Sequence, residues 1–292
     1  MPTGIFYEKI AAVLSGHFQQ PITINGLKPL LGGSINEAYQ LQTSCGHFFI
    51  KINNTKRYPG MFKQEAKGLE LLKNAKAIKI PKVILTGESD DTSFIILEFI
   101  AGAVLQPGFW QTFGQQLAQL HQHTNDSFGL DYDNYIGSLH QNNQQHATWP
   151  EFFINERLQA QIKMARDHHQ MDSSVISKFE NLFSRLNELF PNEPPALLHG
   201  DLWSGNFMTG NNGEPVIMDP AVYYGHREMD LAMTKLFGGF DNQLYRSYHE
   251  QYPLEKGWEE RVDICNLYPL MVHVNLFGGS YLLQVKRIVN RF

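Results

Sequence analysis

The segment ALLHGDLWSGN, residues 196–206, constrains this chain more than any other part of its sequence. Three apolar residues lead into a polar loop, in which the carboxylate Asp201 precedes the amide Asn206 by five positions. At that spacing one tight loop can present the carboxylate toward a hydroxyl group and the amide oxygen toward a magnesium ion. Aspartate suits the first position because it can orient a hydroxyl and accept its proton. Taken alone, the segment also fits an Asx-rich turn after a buried strand.

A second carboxylate follows this loop. The apolar run 216–218 leads into Asp219, thirteen residues after Asn206. An apolar strand that ends in aspartate holds a carboxylate rigidly, and Mg²⁺ binds such oxygens while bridging to substrate phosphates. Alone, Asp219 would be a turn residue before a proline. The order of base, amide and metal carboxylate is, however, that of kinases, and the loop matches their H-x-D-L-x-x-x-N pattern. Together the two segments predict a catalytic base at Asp201 and magnesium ligands at Asn206 and Asp219.

One lysine lies within an apolar strand pattern, FFIKI at residues 48–52. Such a lysine either faces water at a sheet edge or is paired, and in a kinase it would hold nucleotide phosphate from the third strand. The expected partner of Lys51 is Glu65, which lies three residues after Phe62 and borders the apolar face of the next helix. Each residue alone would equally fit an ordinary surface charge. With the catalytic loop present, we predict that Lys51 pairs with Glu65 and contacts phosphate.

Two weaker patterns concern nucleotide binding. Gly33 and Ser34 lie between two predicted strands, where glycine lets backbone N–H groups approach phosphate oxygens. The segment lacks spaced G-x-G-x-x-G glycines, and a plain hairpin turn would have much the same sequence. Glu98 and Ile100, at the end of a later strand, would offer backbone groups to adenine, although an ordinary strand end looks the same. These four residues complete the predicted nucleotide site.

The apolar periodicity changes near residue 101. Before it, short apolar runs between glycines predict antiparallel strands, with one helix near the N-terminus and another over 61–76. Beyond it, helical spacing dominates from residue 109, over 152–166, 175–189, 229–236 and 262–283, with a short strand at 215–219. We predict an α+β fold of two lobes. Residues 1–102 form a small antiparallel-sheet, nucleotide-binding lobe with one key helix, and residues 103–292 a larger, mostly helical catalytic and substrate lobe. A cleft between them would bind ligands.

The composition limits the partners. The 292 residues include 24 Lys and Arg against 29 Asp and Glu, a formal net charge of −5. A general nucleic-acid binder needs clustered positive charge instead. With only Cys45 and Cys265, a disulfide framework or cysteine-rich zinc site is excluded, and no apolar run approaches the ~18 residues of a membrane helix. We expect a soluble, cytoplasmic protein, monomeric or weakly homodimeric, with no nucleic-acid or membrane partner.

Longer stretches resemble one known family. HGDLWSGN at 199–206, MDPAVYYGHREMDLAM at 218–233 and LFGGF at 236–240 closely resemble the fructosamine kinase, or ketosamine-3-kinase, family. FFIKIN at 48–53, MFKQEAKGL at 61–69 and WPEFFINERLQAQI at 149–162 resemble it too, in the family's order and across nearly the whole chain. Trp203 and the segment 224–228 distinguish this family from aminoglycoside and choline kinases.

The resemblance implies a bilobal protein-kinase-like fold and phosphorylation, by ATP and Mg²⁺, of the third-carbon hydroxyl of a ketosamine. Ketosamines form when amines, including protein lysines, react with sugars. In the family, phosphorylation at that carbon makes the adduct labile, so that the amine is recovered. Matched to the family's motifs, Asp201 looks like the base, and Asn206 and Asp219 look like the magnesium ligands. Lys51, held by Glu65, looks like the phosphate contact.

The resemblance also bears on substrate binding and regulation. Trp203 would lie beside the base, where its flat face could stack on the substrate, and His273 would line the same pocket. Several family members carry a redox-active cysteine in the glycine-rich loop, whereas the corresponding position here is Ser34, so a loop disulfide between subunits is not expected. The expected substrate is a small-molecule or protein-bound ketosamine. The alternatives are a hydroxyl phosphotransferase of the aminoglycoside or choline type and a nucleotide-binding pseudokinase.

Overall fold

Within the first hundred residues, the part that the structure describes forms one antiparallel sheet with two helices. The computed structural model describes residues 4–30 and 35–292. Helix α1 (Gly4–Phe18) precedes strands β1 (Ile24–Pro29), β2 (Glu37–Thr43) and β3 (Gly46–Asn54). Helix α2 (Met61–Asn74) and strands β4 (Val83–Ser89) and β5 (Thr92–Glu98) follow. All neighbours in the strand order β1-β2-β3-β5-β4 are antiparallel.

Side-chain alternation along β3 explains how a lysine comes to lie inside this part of the molecule. Ile50 and Ile52 pack with Ile10 of α1 in one apolar cluster. Because successive side chains of a strand point to opposite faces, Phe49 and Lys51 lie on the other face, where both line a cavity. The sheet therefore buries one face under α1 and directs the lysine into the interior.

From residue 109 the chain is mainly helical. It continues with α3 (Phe109–His121), the hairpin β6 (Asn134–Ile136) and β7 (Leu139–Gln141), and α4 (Trp149–Phe152), which runs through a π-helical stretch (Phe153–Gln159) into α5 (Ala160–Asp167). After α6 (Ser173–Phe183) and α7 (Leu186–Leu189) come β8 (Ala196–Leu198), β9 (Phe207–Thr209), β10 (Pro215–Ile217) and β11 (Tyr223–Gly225). The chain ends with α8 (Glu228–Leu236), α9 (Asn242–Gln251), α10 (Trp258–Cys265), α11 (Leu267–Phe277) and α12 (Tyr281–Val289). Within the described ranges, none of these helices has the length and apolar character needed to cross a bilayer.

Several predicted elements differ from the structure. The segment 262–283, predicted as one helix, belongs to α10, α11 and α12, and α11 ends because Gly278 and Gly279 adopt φ angles of 66° and 68°. The segment 175–189 is interrupted between α6 and α7. Helix α9 and the β6–β7 hairpin were not predicted. Each hairpin strand has only three residues, too few to show a period of two.

Apolar packing joins the two halves of the chain. One cluster combines Leu69 of α2 and Ile95 of β5 with Leu117, Leu197 and Ile217 of the helical part. A cavity of about 620 Å³ lies along this junction, lined by residues of β3, α2, β6, α11 and the loops after β8 and β10. This volume falls within the range of small-molecule sites.

Candidate active site

The loop between β8 and β9 presents Asp201 and Asn206 to this cavity. Asn206 Nδ2 donates hydrogen bonds to the carbonyl oxygen and to Oδ2 of Asp201, at 2.8 and 3.0 Å, and to the carbonyl oxygen of Asp219 at 3.4 Å. Because the two carbonyl oxygens can only accept, the amide nitrogen must face them, which leaves Oδ1 on the opposite side of the amide. Asn206 therefore orients the Asp201 carboxylate while keeping an oxygen atom available for another ligand.

The turn that brings Asp201 into the cavity requires a glycine. Gly200 adopts a φ of 82°, in the left-handed region that glycine favours. A Cβ atom at this position would lie 2.1 Å from the carbonyl oxygen of Ala221. The catalytic-loop turn therefore packs directly against the backbone that follows Asp219.

A buried carboxylate from α8 supports the same turn. Asp230 accepts hydrogen bonds from the backbone N–H groups of His199 and Gly200, at 2.7 and 2.9 Å, and from His121 Nε2 at 3.2 Å. His121 Nδ1 also bonds the Tyr248 hydroxyl at 2.8 Å. Burial alone raises the pKa of Asp230, but the hydrogen bond and the charge interactions with the two histidines bring it below its ordinary value. The ionised Asp230 carboxylate thus fixes the loop backbone at His199 and Gly200.

His199 connects the loop to the strand before Asp219. Its Nε2 donates to the carbonyl oxygen of Met218 at 2.9 Å, and its Nδ1 accepts from the backbone N–H of Asp201 at 3.3 Å. Burial, the largest effect, lowers the pKa of His199, which is consistent with one nitrogen donating and the other accepting. The neutral imidazole thereby fixes the spacing between Asp201 and Asp219.

Asp219 combines an uncommon backbone conformation with an interior ion pair. It is one of five described non-glycine residues with positive φ, at 57°, and it alone among them lines the cavity. Such conformations cost free energy and often mark functional sites. Its Oδ1 contacts the ammonium group of Lys51. The conformation directs the carboxylate across the cavity to β3.

Lys51 also forms the predicted ion pair with Glu65. Their Nζ and Oε1 atoms are 2.9 Å apart, and the two side chains are only 6% and 9% exposed. Burial by itself lowers the pKa of Lys51, but attraction to Asp219 and Glu65 outweighs this effect and raises it above its ordinary value. The ammonium therefore stays charged and connects β3, α2 and the loop after β10.

The electrostatic environment of Asp201 suits a proton acceptor. Burial, the largest effect, raises the pKa of Asp201 to about 7, although the hydrogen bond from Asn206 acts in the opposite direction. The charges of Asp219 and Asp230 raise it further. A general base functions best when its pKa lies near the operating pH.

Aromatic side chains form another part of the cavity wall, and we call this set the aromatic wall: Trp203, Phe237, His273, Phe277 and Tyr281. The His273 ring centroid is 5.0, 5.5 and 4.9 Å from those of Phe237, Phe277 and Tyr281. Trp203 meets Phe237 edge-on at 6.3 Å. The two predicted substrate residues thus lie in one continuous aromatic surface, of which three members were not predicted.

Four other residues predicted to bind the nucleotide are not found in the described wall of the cavity. Two of them, Gly33 and Ser34, lie outside the described residues. Glu98 and Ile100 do not belong to the described wall of the cavity. The backbone N–H of Glu98 donates to the carbonyl oxygen of Lys82 at 2.8 Å, so this N–H is already used within the sheet.

Two sets of supporting residues escaped sequence reasoning. Asp230 had a detectable signal, because it is a carboxylate within the apolar run 229–233. Asn134 and Gln141 of the β6–β7 hairpin had no such signal in the sequence. Asn134 Nδ2 donates to the carbonyl oxygen of Val222 at 2.8 Å, and Gln141 Nε2 donates to that of Ala221 at 3.1 Å. These bonds fix the backbone after Asp219 over long sequence separations.

The fold and the ordered set of loop carboxylate, amide and second carboxylate are those of kinase-like phosphotransferases. The aminoglycoside phosphotransferase APH(4)-Ia, solved as a ternary complex with AMP-PNP and hygromycin B, matches 97% of this chain and 98% of its own with a TM-score of 0.65. At 18% identity, this likeness concerns the fold. The predicted bilobal, protein-kinase-like α+β fold is confirmed.

Sequence comparison identifies the family. The fructosamine kinase family model matches residues 6–292. A candidate ketoamine kinase of Vibrio parahaemolyticus is 40% identical over 266 residues, 90% of each chain. The chloroplastic protein-ribulosamine 3-kinase of Arabidopsis thaliana is 40% identical over 266 residues, 89% of this chain and 80% of its own. The structure of a candidate fructosamine-3-kinase from Haemophilus somnus has a TM-score of 0.88 at 30% identity and 98% coverage of both chains. This chain belongs to the fructosamine kinase family, as its motifs predicted.

Proposed function

We propose that this protein is an ATP-dependent ketosamine 3-kinase. It would transfer the γ-phosphoryl group of ATP to the third-carbon hydroxyl of fructosamine or ribulosamine adducts, which become labile and release the amine. One observation carries the proposal: Asp201, the Lys51–Asp219 ion pair and the aromatic wall all line a single cavity. A base thus shares one cavity with charged groups suited to phosphates and with aromatic rings suited to a sugar adduct. The names of the relatives, ketoamine kinase and ribulosamine 3-kinase, support the substrate class.

In this proposal Asp201 acts as the catalytic base. Asn206 occupies its Oδ2, so Oδ1 would accept the hydrogen bond of the substrate hydroxyl. The carboxylate would align that hydroxyl and take its proton as the bond to phosphorus forms. Trp203, 39% exposed at the cavity, would stack on the sugar and hold it against the base.

Asn206 and Asp219 would hold Mg²⁺. Among the described residues, Asn206 Oδ1 and Asp219 Oδ2 accept no hydrogen bond, and amide and carboxylate oxygens are the ligands that Mg²⁺ prefers. The bound ion would neutralise charge on the nucleotide phosphates. Lys51 would contact a phosphate while Glu65 keeps its ammonium in position.

The remaining predictions complete the proposal. Gly33, Ser34, Glu98 and Ile100 would bind ATP, Glu98 through a group other than the N–H that bonds Lys82, with residues 1–102 as the nucleotide-binding lobe and 103–292 as the catalytic and substrate lobe. A cytoplasmic location, a monomer or weak homodimer, and the absence of nucleic-acid and membrane partners also remain predictions. The substrate would be a free or protein-bound ketosamine.

The test is ADP release with Mg-ATP across fructoselysine, ribuloselysine, a glycated protein, choline and kanamycin. The matched control is Asp201→Asn, which keeps the shape of the side chain but removes the base. We expect turnover confined to the ketosamines, absent without Mg²⁺ and lost in the control. Turnover of kanamycin or choline alone would overturn the substrate assignment, and equal turnover by Asp201→Asn would overturn the assignment of the base.

A further inference from the structure

We propose that His273 and the aromatic rings around it recognise the protonated secondary amine of the ketosamine, and so determine specificity for ketosamines over ketoses that lack the amine. The inference rests on the proposed function. It assigns a particular group of the substrate to a particular atom, Nε2 of His273. The ligand class is an alkylammonium attached to the first sugar carbon.

The tautomer of His273 follows from its surroundings. Nδ1 lies 2.7 Å from the carbonyl oxygen of Pro269, one helical turn earlier in α11. A carbonyl can only accept, so Nδ1 carries the hydrogen. Burial lowers the pKa of His273, which favours the neutral ring with an unprotonated Nε2. Within residues 4–30 and 35–292, Nε2 has no hydrogen-bond partner. His273 therefore presents one acceptor nitrogen in the cavity wall.

The charge balance of the cavity favours a cation. The charged side chains in its described wall are Glu65, Asp201 and Asp219 against the single cation Lys51. Lys51 is already paired with two of these carboxylates. Residues 31–34, outside the described ranges, are Leu-Gly-Gly-Ser and carry no charge. A positively charged substrate group is therefore attracted to the cavity.

The rings around His273 add a second attraction for the same group. A cation within about 6 Å of an aromatic face is stabilised by the ring quadrupole. Phe237, Phe277 and Tyr281 all have centroids within 5.5 Å of that of His273. Phe237 and Phe277 are 40% and 55% exposed, so their surfaces are open to a ligand. An acceptor nitrogen surrounded by aromatic rings suits an alkylammonium better than a neutral hydroxyl.

The position of His273 relative to the base matches the chemistry of the substrate. Asp201 and His273 border one small recess, together with Gly200, Tyr268 and Val272. In a ketosamine the amine is on the first sugar carbon and the reacting hydroxyl on the third, so the two groups lie close together. When the hydroxyl is at Asp201, the amine can reach Nε2 of His273. A ketose without the amine would leave this nitrogen without a partner, which costs binding free energy.

The test compares two substrates that differ only in the linking atom. These are the 1-deoxy-1-propylamino derivative of the ketose that the panel ranks first, fructose or ribulose, and its 1-O-propyl ether. The ether has the same alkyl chain but neither a proton nor a charge at the linking atom. We expect wild type to prefer the amine in kcat/KM, and His273→Leu to reduce this preference by about 10–150-fold, as expected for a hydrogen bond to a charged group.

Two further variants separate recognition from pocket shape. His273→Gln restores an acceptor and should recover part of the preference. Phe277→Leu keeps an apolar side chain but loses the ring face, and should reduce the preference about 2–30-fold. An equal loss on both substrates, or an unchanged preference, in His273→Leu and Phe277→Leu would overturn this inference while leaving the proposed function intact. If wild type turned over neither substrate, nor any ketosamine of the panel, the proposed function would fail and this inference with it.

Discussion

Two parts of the cavity wall contrast, and we call them the charged end (Lys51, Glu65 and Asp219) and the aromatic end (the aromatic wall). At the charged end, Lys51 and Glu65 are less than a tenth exposed and meet at hydrogen-bond distance. At the aromatic end, Trp203 and Phe277 are 39% and 55% exposed. Buried charges must be paired closely because their desolvation is costly, whereas exposed aromatic rings need no partner. The comparison suggests a fixed binding mode for the phosphates and a more adaptable surface for the acceptor.

Asp201 lines the same cavity and belongs to neither set. Asn206 and the His199 ring hold it in place, yet no cation pairs with it among the described residues. Burial, with no cation to offset it, therefore raises the pKa of Asp201. An unpaired, partly buried carboxylate is a liability for stability but an advantage for a base.

The largest expected effect concerns this central residue. In Asp201→Asn the amide can still bond Asn206 but cannot take a proton at neutral pH. We expect kcat to fall about 10²–10⁴-fold, with the dissociation constant for Mg-ATP changed little. Steady-state kinetics and calorimetric titration measure the two quantities. A kcat within a few-fold of wild type would exclude Asp201 as the base.

The next effect tests the charged end as a paired network. Lys51→Met leaves Glu65 buried without its cation, so the free energy of unfolding should fall by about 3–5 kcal/mol, as measured by urea denaturation. The control is Lys79→Met, which removes a salt bridge to Glu214 whose side chains are 32% and 24% exposed. There we expect about 0–1 kcal/mol. Equal losses in the two variants would contradict the difference between buried and partly exposed pairs.

The aromatic end should respond in binding rather than in stability. Trp203→Ala removes a partly exposed stacking surface, so we expect KM for the ketosamine to rise about 10-fold, with nucleotide affinity unchanged. Phe18→Ala is the control, because Phe18 is similarly exposed, at 37%, but lies outside the cavity wall. A parallel loss of nucleotide affinity in Trp203→Ala would show that the two ends are not independent.

The smallest expected effect links activity to stability through pH. Because the pKa of Asp201 is raised to about 7, kcat/KM should increase with pH up to about 7 as the base ionises. The folded state also binds this proton more tightly than the unfolded chain, so wild type loses stability as pH rises from the ordinary carboxylate range through 7. The variant Asp201→Asn has no titratable group at this position, so it lacks this contribution to the pH dependence of stability.

Calorimetry at two pH values checks this linkage. We expect the Tm of Asp201→Asn relative to wild type to be higher at pH 8 than at pH 4. At ~1.4 kcal/mol per pKa unit and ~2–4 °C per kcal/mol, this relative Tm should rise by about 3–6 °C for each unit by which the pKa of Asp201 is raised. A difference that is the same at both pH values would contradict an elevated pKa for Asp201.

Sequence reasoning succeeded where chemistry depends on neighbours along the chain. Asp201 and Asn206 share one loop, and Asp219 lies just after an adjacent short strand, so their spacing alone indicated their arrangement. The Lys51–Glu65 contact was also predictable, since the helix period shows which residues border an apolar face. The Lys51–Asp219 contact was not predicted. It depends on the positive φ at Asp219 and on the packing of the two halves.

By itself, the sequence determined the family and the bilobal fold and predicted the residues with chemical roles, because these are encoded in local motifs and periodicity. Only the tertiary structure decided what surrounds them. Phe237 follows α8, His273 belongs to α11, and Tyr281 begins α12, yet the His273 ring centroid is 5.0 Å from that of Phe237 and 4.9 Å from that of Tyr281. Such contacts join residues of different helices, and no period or motif relates them. They form because each helix buries its apolar face against the others, and that packing sets which side chains line the cavity.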